Sequence, residues 1–217
     1  MIPYGTFTFF LIAFIVLIPV IILGFLGKRS YIYNGISTAI MIVIIFASDK
    51  HNLLGQKYLS AQLFCFIIYV IWQVALIMYY YQSRQKKNTF TKFVTIMVLS
   101  ILPLAIVKIL QSSWLGGHQI HFHESKLIEF VGFLGISYVT FKSVQLIMEI
   151  RDGSIKEIKV GKLIQFISFF PTISSGPIDR YKRFVKDDKK VPSGAEYREL
   201  VVKAIHLSLY TSLMARG

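Results

Sequence analysis

Four polar side chains interrupt the apolar stretch LIEFVGFLGISYVTFKSVQLIMEIRDG at the spacing of one helix face. Separated by four, three and four positions, they are Tyr138, Lys142, Gln145 and Glu149. Inside a membrane such groups usually face the protein interior, pair with each other or line a water-filled cavity. A lysine near a helix end can instead extend to the lipid headgroups without any function, so two interpretations of Lys142 stay open. We favour interior packing for Tyr138 and Gln145, and take these two with Lys142 as candidates for a substrate path.

A second stretch, VGKLIQFISFFPTISSGPI, begins as a membrane helix and then stops. Its apolar part is too short to cross a bilayer before Pro171, and two prolines and a glycine then remove donors and loosen the backbone. Such backbone is tolerated at membrane depth only where protein or trapped water pairs it. We therefore predict a broken or re-entrant helix near 160–178 that borders a cavity. Further path candidates, whose hydroxyls can pair freed backbone groups or contact a ligand, lie at the break: Ser174, Ser175, Gly176 and Pro177.

The chain becomes basic directly after this break. We predict a surface segment over 179–194 that lies at the cytoplasmic face against anionic lipids, with an acidic protein partner as the alternative. Its candidate contact residues are Arg180, Lys182, Arg183 and Lys186. Ser193, followed three positions later by Glu196, resembles a capping box and predicts the start of an incomplete helix over 195–214. The residues from Leu200 to Met214 are too few to span a bilayer.

Three histidines, His118, His121 and His123, cluster in one loop. Two of them alternate and could share a metal on an extended segment, but no third firm ligand follows at a suitable spacing. We interpret the cluster as a solvated or interfacial outer loop and predict no metal site.

The elements that must position these residues are apolar blocks. Of the 217 residues, 54% are hydrophobic and 16% charged, against roughly 25% charged in soluble domains. Without alternating polarity, helices are favoured over a barrel. We predict an all-α, polytopic transmembrane protein that forms a single membrane unit. Its five spans are 6–27, 31–47, 59–81, 93–110 and 127–150.

The net charge of +13 has a simple explanation in this arrangement. Basic residues concentrate in alternate connections between the spans, which predicts by the positive-inside rule that the N-terminus lies outside the cell membrane. Because the membrane accounts for these cations, we do not expect nucleic acid as a partner.

Two motifs, GISYVTFKSVQLIMEI and FFPTISSGPIDRYKRF, resemble the membrane-bound O-acyltransferases, in particular members that attach D-alanine to teichoic acid in Gram-positive bacteria. The resemblance extends to about His206. It implies that D-alanine arrives as a thioester on the phosphopantetheine of a small acidic carrier protein and passes through a pore to (lipo)teichoic acid. The chain itself would bind no cofactor, and the break at Pro171 to Pro177 would form part of the pore wall.

The family's catalytic histidines lie in its C-terminal half beside tryptophan, and this chain has no Trp-His pair. We therefore transfer no catalytic residue and expect an N-terminal half that is inactive alone. Two other functions stay open. Broken helices and intramembrane charges also mark a transporter or flippase subunit, and the basic segment would suit a membrane scaffold that docks an acidic partner.

Overall fold

The computed structural model describes residues 7–28, 31–47, 59–86, 89–111, 135–173, 179–189 and 192–214. Within these ranges the chain is helical and contains no strand, which confirms the all-helical prediction for this part of the protein. The helices are α1 (Phe7–Phe25), α2 (Tyr31–Ala47), α3 (Leu59–Lys86), α4 (Phe90–Gln111), α5 (Ile136–Arg151), α6 (Val160–Ser168), α7 (Tyr181–Lys189) and α8 (Gly194–Met214), with a 3-10 turn at Phe170–Thr172.

Two of the described helices are long and apolar enough to cross a membrane, judged by length and composition. These stretches are Leu63–Lys86 in α3 and Phe90–Ile109 in α4. Shorter apolar stretches are Leu11–Phe25 in α1 and Ile32–Phe46 in α2. The number of spans and the outward N-terminus stay predictions.

The described helices belong to two compact units. One comprises Ile2–Met41 with Lys186–Gly217, and in it α1 packs against α8. The contact depends on the absence of a side chain at Gly24, where a Cβ would overlap the Tyr197 ring. The same ring meets that of Phe25 edge to face, with centroids 5.2 Å apart, a favourable aromatic geometry.

Helix α8 begins where the capping pattern predicts. The backbone N–H of Glu196 donates to Ser193 Oγ at 3.3 Å, and the helix starts at Gly194. A serine oxygen in this position satisfies one of the N–H groups that a helix start leaves unpaired.

The other unit, Ile42–Val185, contains α3 to α6, and a buried polar network joins three of these helices. Gln73 of α3 is fully buried, and its Nε2 donates to Tyr69 OH at 2.8 Å and to the Ser100 carbonyl at 3.0 Å. Ser100 Oγ of α4 donates to Gln73 Oε1 at 2.7 Å, and Tyr69 OH lies 2.6 Å from Thr140 Oγ1 of α5. The network thus fixes α3, α4 and α5 against one another.

Basic side chains hold the end of α5. The guanidinium of Arg151 stacks over the Phe93 ring at 4.3 Å and the Phe90 ring at 5.4 Å, and such cation–π contacts are stabilising. Arg84 Nε donates to the Arg151 carbonyl at 3.1 Å. These contacts tie the ends of α3, α4 and α5 together.

We expect Gln73→Ala to lower the free energy of unfolding by about 1–3 kcal/mol, because the Tyr69 hydroxyl, the Ser100 hydroxyl and the Ser100 carbonyl each lose one hydrogen bond in a buried site. Chemical denaturation in detergent micelles measures the change. Gln82→Ala is the matched control, since Gln82 is an exposed residue of the same helix. Equal stability of the two variants would contradict the structural role of the network.

Candidate functional site

Helix α6 ends because Pro171 cannot continue it. The carbonyl of Ile167 would normally accept from the N–H of residue 171, and proline has none. A 3-10 turn follows instead, in which Thr172 N donates to the Phe169 carbonyl at 3.1 Å. The chain therefore breaks near the predicted position, and the last carbonyls of α6 need donors from elsewhere.

Lys142 of α5 supplies those donors. Its side chain is 1% exposed, and its Nζ donates to the Phe166 carbonyl at 3.1 Å, to the Ile167 carbonyl at 3.5 Å and to Thr172 Oγ1 at 2.6 Å. Thr172 Oγ1 in turn donates to the Phe169 carbonyl at 3.2 Å. Lys142 thus bridges the break from α6 to the 3-10 turn, and its side chain lies in the protein interior.

The position of this ammonium suits its charge. Helix carbonyls carry a partial negative charge at the C-terminal end, which favours a cation there. The Phe166 ring lies 5.5 Å from Nζ, and the carboxylate of Asp179 also acts on the Lys142 charge. A buried ammonium needs this combination of acceptors and opposite charge to offset its lost hydration.

The start of α5 also fixes the 3-10 turn. Gly135 has φ 92°, in the left-handed region that side chains disfavour. A Cβ at this position would overlap the carbonyl oxygen of Ile173. Gly135 therefore allows a backbone approach between the start of α5 and the end of the turn that no other residue type would permit.

A pocket of about 620 Å³ lies along the last turns of α5. One wall is apolar, and the others carry charged and polar groups from the end of α5, the following turn and the start of the basic segment. The lining residues are Phe141, Val144, Gln145, Met148, Glu149, Asp152, Ser154, Arg180 and Lys182. The pocket is therefore large enough for a small polar group together with an apolar chain.

Glu149 is unusual among these residues. Both of its carboxylate oxygens are buried, and neither has a hydrogen-bond partner among the described residues. Gln145 lies close to the carboxylate but outside hydrogen-bonding geometry, and the charges of Arg180 and Lys182 act on it without forming an ion pair. A carboxylate that is buried without a hydrogen-bond donor costs free energy, and such groups often lie at functional sites.

The basic segment folds as the amphipathic helix α7. Its inner face packs on α6, where the Phe166 ring contacts those of Tyr181 and Phe184, each with centroids 5.4 Å apart. Its outer face is charged and exposed, including Lys182, Arg183 and Lys186. Arg183 also reaches Asp179 at 3.8 Å.

The structure divides the predicted polar face of α5 between two environments. Lys142 belongs to the helix break, and Gln145 lines the pocket with Arg180 and Lys182. Tyr138 is partly exposed and belongs to neither. The candidates Ser174, Ser175, Gly176 and Pro177, and the histidines at 118, 121 and 123, lie outside the described residues. The roles of all these residues in a substrate path stay predictions.

Sequence reasoning did not single out Thr172, Asp152, Ser154 or Asp179. Thr172 follows Pro171 directly, and a hydroxyl beside a helix-breaking proline is a signal for local pairing. Asp179 is the first acid after the break, where Oδ1 accepts from the N–H of Arg180 at 2.8 Å. The pocket itself depends on residues about thirty positions apart and had no local signal.

Over the described residues, these features define a helical protein with helices of membrane-spanning length and a lysine-bridged helix break. No family profile matches the chain. It is similar to the curated teichoic acid D-alanyltransferase of Bacillus subtilis, with 45% identity over 207 residues, which are 95% of this chain and 49% of the relative. Proteins of the same name from Lacticaseibacillus rhamnosus and Streptococcus thermophilus are 42% and 32% identical over 94% of this chain, covering 46% and 44% of their own lengths. The chain thus spans about half the length of the curated relatives it matches.

We expect Lys142→Met, which keeps the length of the side chain, to lower the free energy of unfolding by about 1–3 kcal/mol because two carbonyls and Thr172 Oγ1 lose their donor. Chemical denaturation in detergent micelles is the measurement. Lys108→Met is the control, since Lys108 is exposed near the end of α4. If both variants unfold at the same denaturant concentration, the bridge does not stabilise the break.

Gly135→Ala tests the contact at the start of α5. We expect this substitution to lower the free energy of unfolding by about 2 kcal/mol or more, because alanine must adopt a positive φ and displace the Ile173 carbonyl. The control is Gly35→Ala, where the added methyl group meets nothing within 4 Å and helix propensity improves. The midpoint of thermal unfolding should fall for the first variant and stay equal or rise for the second.

Proposed function

We propose that this chain forms part of a membrane-bound O-acyltransferase that transfers D-alanine to teichoic acid. The observation that carries the proposal is the similarity to three proteins named teichoic acid D-alanyltransferase over 94–95% of this chain. In the proposed protein the described helices lie in the cell membrane as a multi-pass bundle with the N-terminus outside.

The reaction would move an acyl group from sulfur to oxygen. The acceptor hydroxyl of (lipo)teichoic acid attacks the thioester carbonyl carbon, the new C–O bond forms, the C–S bond breaks, and the hydroxyl proton passes through a base to the leaving thiolate. We assign neither the base nor the oxyanion donors to this chain. In this proposal, the helix break of this chain forms one wall of the path along which the acyl group moves.

The geometry of the break supports this role. Irregular backbone at membrane depth is tolerated only where protein or a water-filled cavity pairs its polar groups, and Lys142 pairs those of the break from α5. The wall would therefore have a fixed shape, which matters because small displacements of a reacting group cost large factors in rate.

The proposed partners follow from the same reaction. The thioester would reside on the phosphopantetheine of an acidic carrier protein, and the exposed cations of α7 provide a surface of opposite charge. Anionic lipids would compete for that surface, because both partners use the same electrostatic attraction.

A graft tests the function directly. In Gram-positive cells that lack their own enzyme, we would express the Bacillus subtilis relative with its aligned region replaced by this chain, and measure D-alanine released from teichoic acid by mild base. We expect substantial activity for the graft, a loss of about tenfold or more with Lys142→Met, and no comparable loss with Lys108→Met.

The control for this experiment is the amount of graft inserted in the membrane, measured by immunoblot. A graft that is inserted at normal level but releases no D-alanine would contradict the proposal and favour a transporter subunit or a scaffold. Equal activity of the Lys142→Met and Lys108→Met grafts would instead show that the helix break has no role in the transfer.

A further inference from the structure

We propose that the pocket at the end of α5 binds the headgroup of a phospholipid that carries a primary ammonium close to its phosphate. This site is separate from the bridged break, and the inference rests on the membrane placement proposed above. It depends on three properties of the lining residues: the distribution of charge, the unpaired carboxylate and the apolar wall.

The charged residues of the pocket balance one another. Glu149 and Asp152 belong to the end of α5 and the turn after it, and Arg180 and Lys182 belong to the start of the basic segment. A ligand of one sign would meet repulsion from half of these groups, which selects against it. A ligand with both signs can place each charge against its opposite.

Glu149 and Asp152 suit a primary ammonium. The oxygens of Glu149 lack a donor among the described residues, and Asp152 is exposed. A primary ammonium has three N–H donors and can serve both carboxylates, once Glu149 rotates about its side-chain bonds towards the pocket. A quaternary ammonium has the charge but no donor, so it would leave the oxygens of Glu149 unpaired.

Arg180 and Lys182 suit a phosphate. Both side chains are exposed, and guanidinium and ammonium groups form strong charge-assisted hydrogen bonds with phosphate oxygens. The charges of both residues act on the Glu149 carboxylate, so the basic and acidic groups lie close together. The two ionic groups of the ligand must therefore be only a few bonds apart, as in a phosphoethanolamine.

The apolar wall suits an acyl chain. Phe141 and Met148 are 50% and 45% exposed, and with Val144 they form one side of the pocket along α5. An aminoacylated phosphopantetheine also carries an ammonium and a phosphate, but at opposite ends of a long arm. The close pairing of acids and bases therefore favours the lipid.

The position of the pocket agrees with this ligand. Residue 150 ends the predicted span, and the basic connection that follows would lie at the level of the headgroups. A lipid bound there would have its phosphate near the start of α7 and its chain beside α5.

Native mass spectrometry of the full purified chain tests the proposal. The protein is incubated with equal amounts of phosphatidylethanolamine, phosphatidylcholine and phosphatidylglycerol that have identical acyl chains. We expect about tenfold more bound phosphatidylethanolamine than either other lipid, because phosphatidylcholine lacks N–H donors and phosphatidylglycerol lacks the cation. Soluble glycerophosphoethanolamine should compete only weakly, since it lacks the acyl chains.

The variant Glu149→Gln/Asp152→Asn should abolish the preference for phosphatidylethanolamine, and Arg180→Gln/Lys182→Gln should lower its binding. The matched control is Glu157→Gln/Lys159→Gln, which removes an exposed ion pair of 3.7 Å outside the pocket and should change neither. Circular dichroism and gel filtration verify that each variant is folded.

Three results would overturn the inference: equal retention of the lipids, retention of phosphatidylglycerol at the level of phosphatidylethanolamine, or an unchanged preference in the Glu149/Asp152 variant. Activity of the graft is measured separately. A graft that transfers D-alanine while the lipid preference is absent would therefore refute the lipid site alone.

Discussion

The buried ammonium of Lys142 is the constraint on which the rest of this unit depends. A helix that ends inside a protein leaves carbonyl groups that must be paired, and Pro171 removes the N–H that would have paired one of them. A lysine can pair several acceptors at once because it has three donors. The lysine belongs to α5, so the position of α5 determines where the break lies. Gly135, which directly precedes α5, strengthens this dependence because it allows close approach to the residue after the 3-10 turn.

Helix α5 contributes residues to two different sites, the bridged break and the pocket. Lys142 is enclosed by α6 and the turn, and every donor contact it makes is to a group of the break. One to two turns further on, Gln145 and Glu149 face a pocket that remains open to the start of the basic segment. The proposed acyltransferase would use both features. In that proposal the path would have a wall of fixed shape, and the membrane boundary would have a surface that interacts with charged headgroups.

Much of the fold follows from the sequence, because helices in apolar blocks depend on local composition. The second block, 31–47, coincides with α2, and the break falls where proline removes a donor. The site was less predictable. Helix periodicity placed Lys142 and Gln145 on one face, but it could not show that one would contact α6 and that the other would line a pocket with Arg180 and Lys182, since both placements depend on packing between helices. Nothing local marked Thr172 as the partner of Lys142, because thirty residues separate them.

The polar network of the helix core has a direction. Ser100 donates to Gln73, and the Gln73 amide N–H donates to the Tyr69 oxygen. The Tyr69 hydrogen points to Thr140, because Thr140 uses its own hydrogen elsewhere. Thr140 then passes its own hydrogen to the Ile136 carbonyl at 2.7 Å. The hydroxyl hydrogens of this series point from α4 through α3 to α5, and the Ile136 carbonyl fixes their direction because a carbonyl can only accept. Displacement of any of the three helices along its axis would therefore break at least one of these hydrogen bonds, and α5 also carries the lysine that bridges the break.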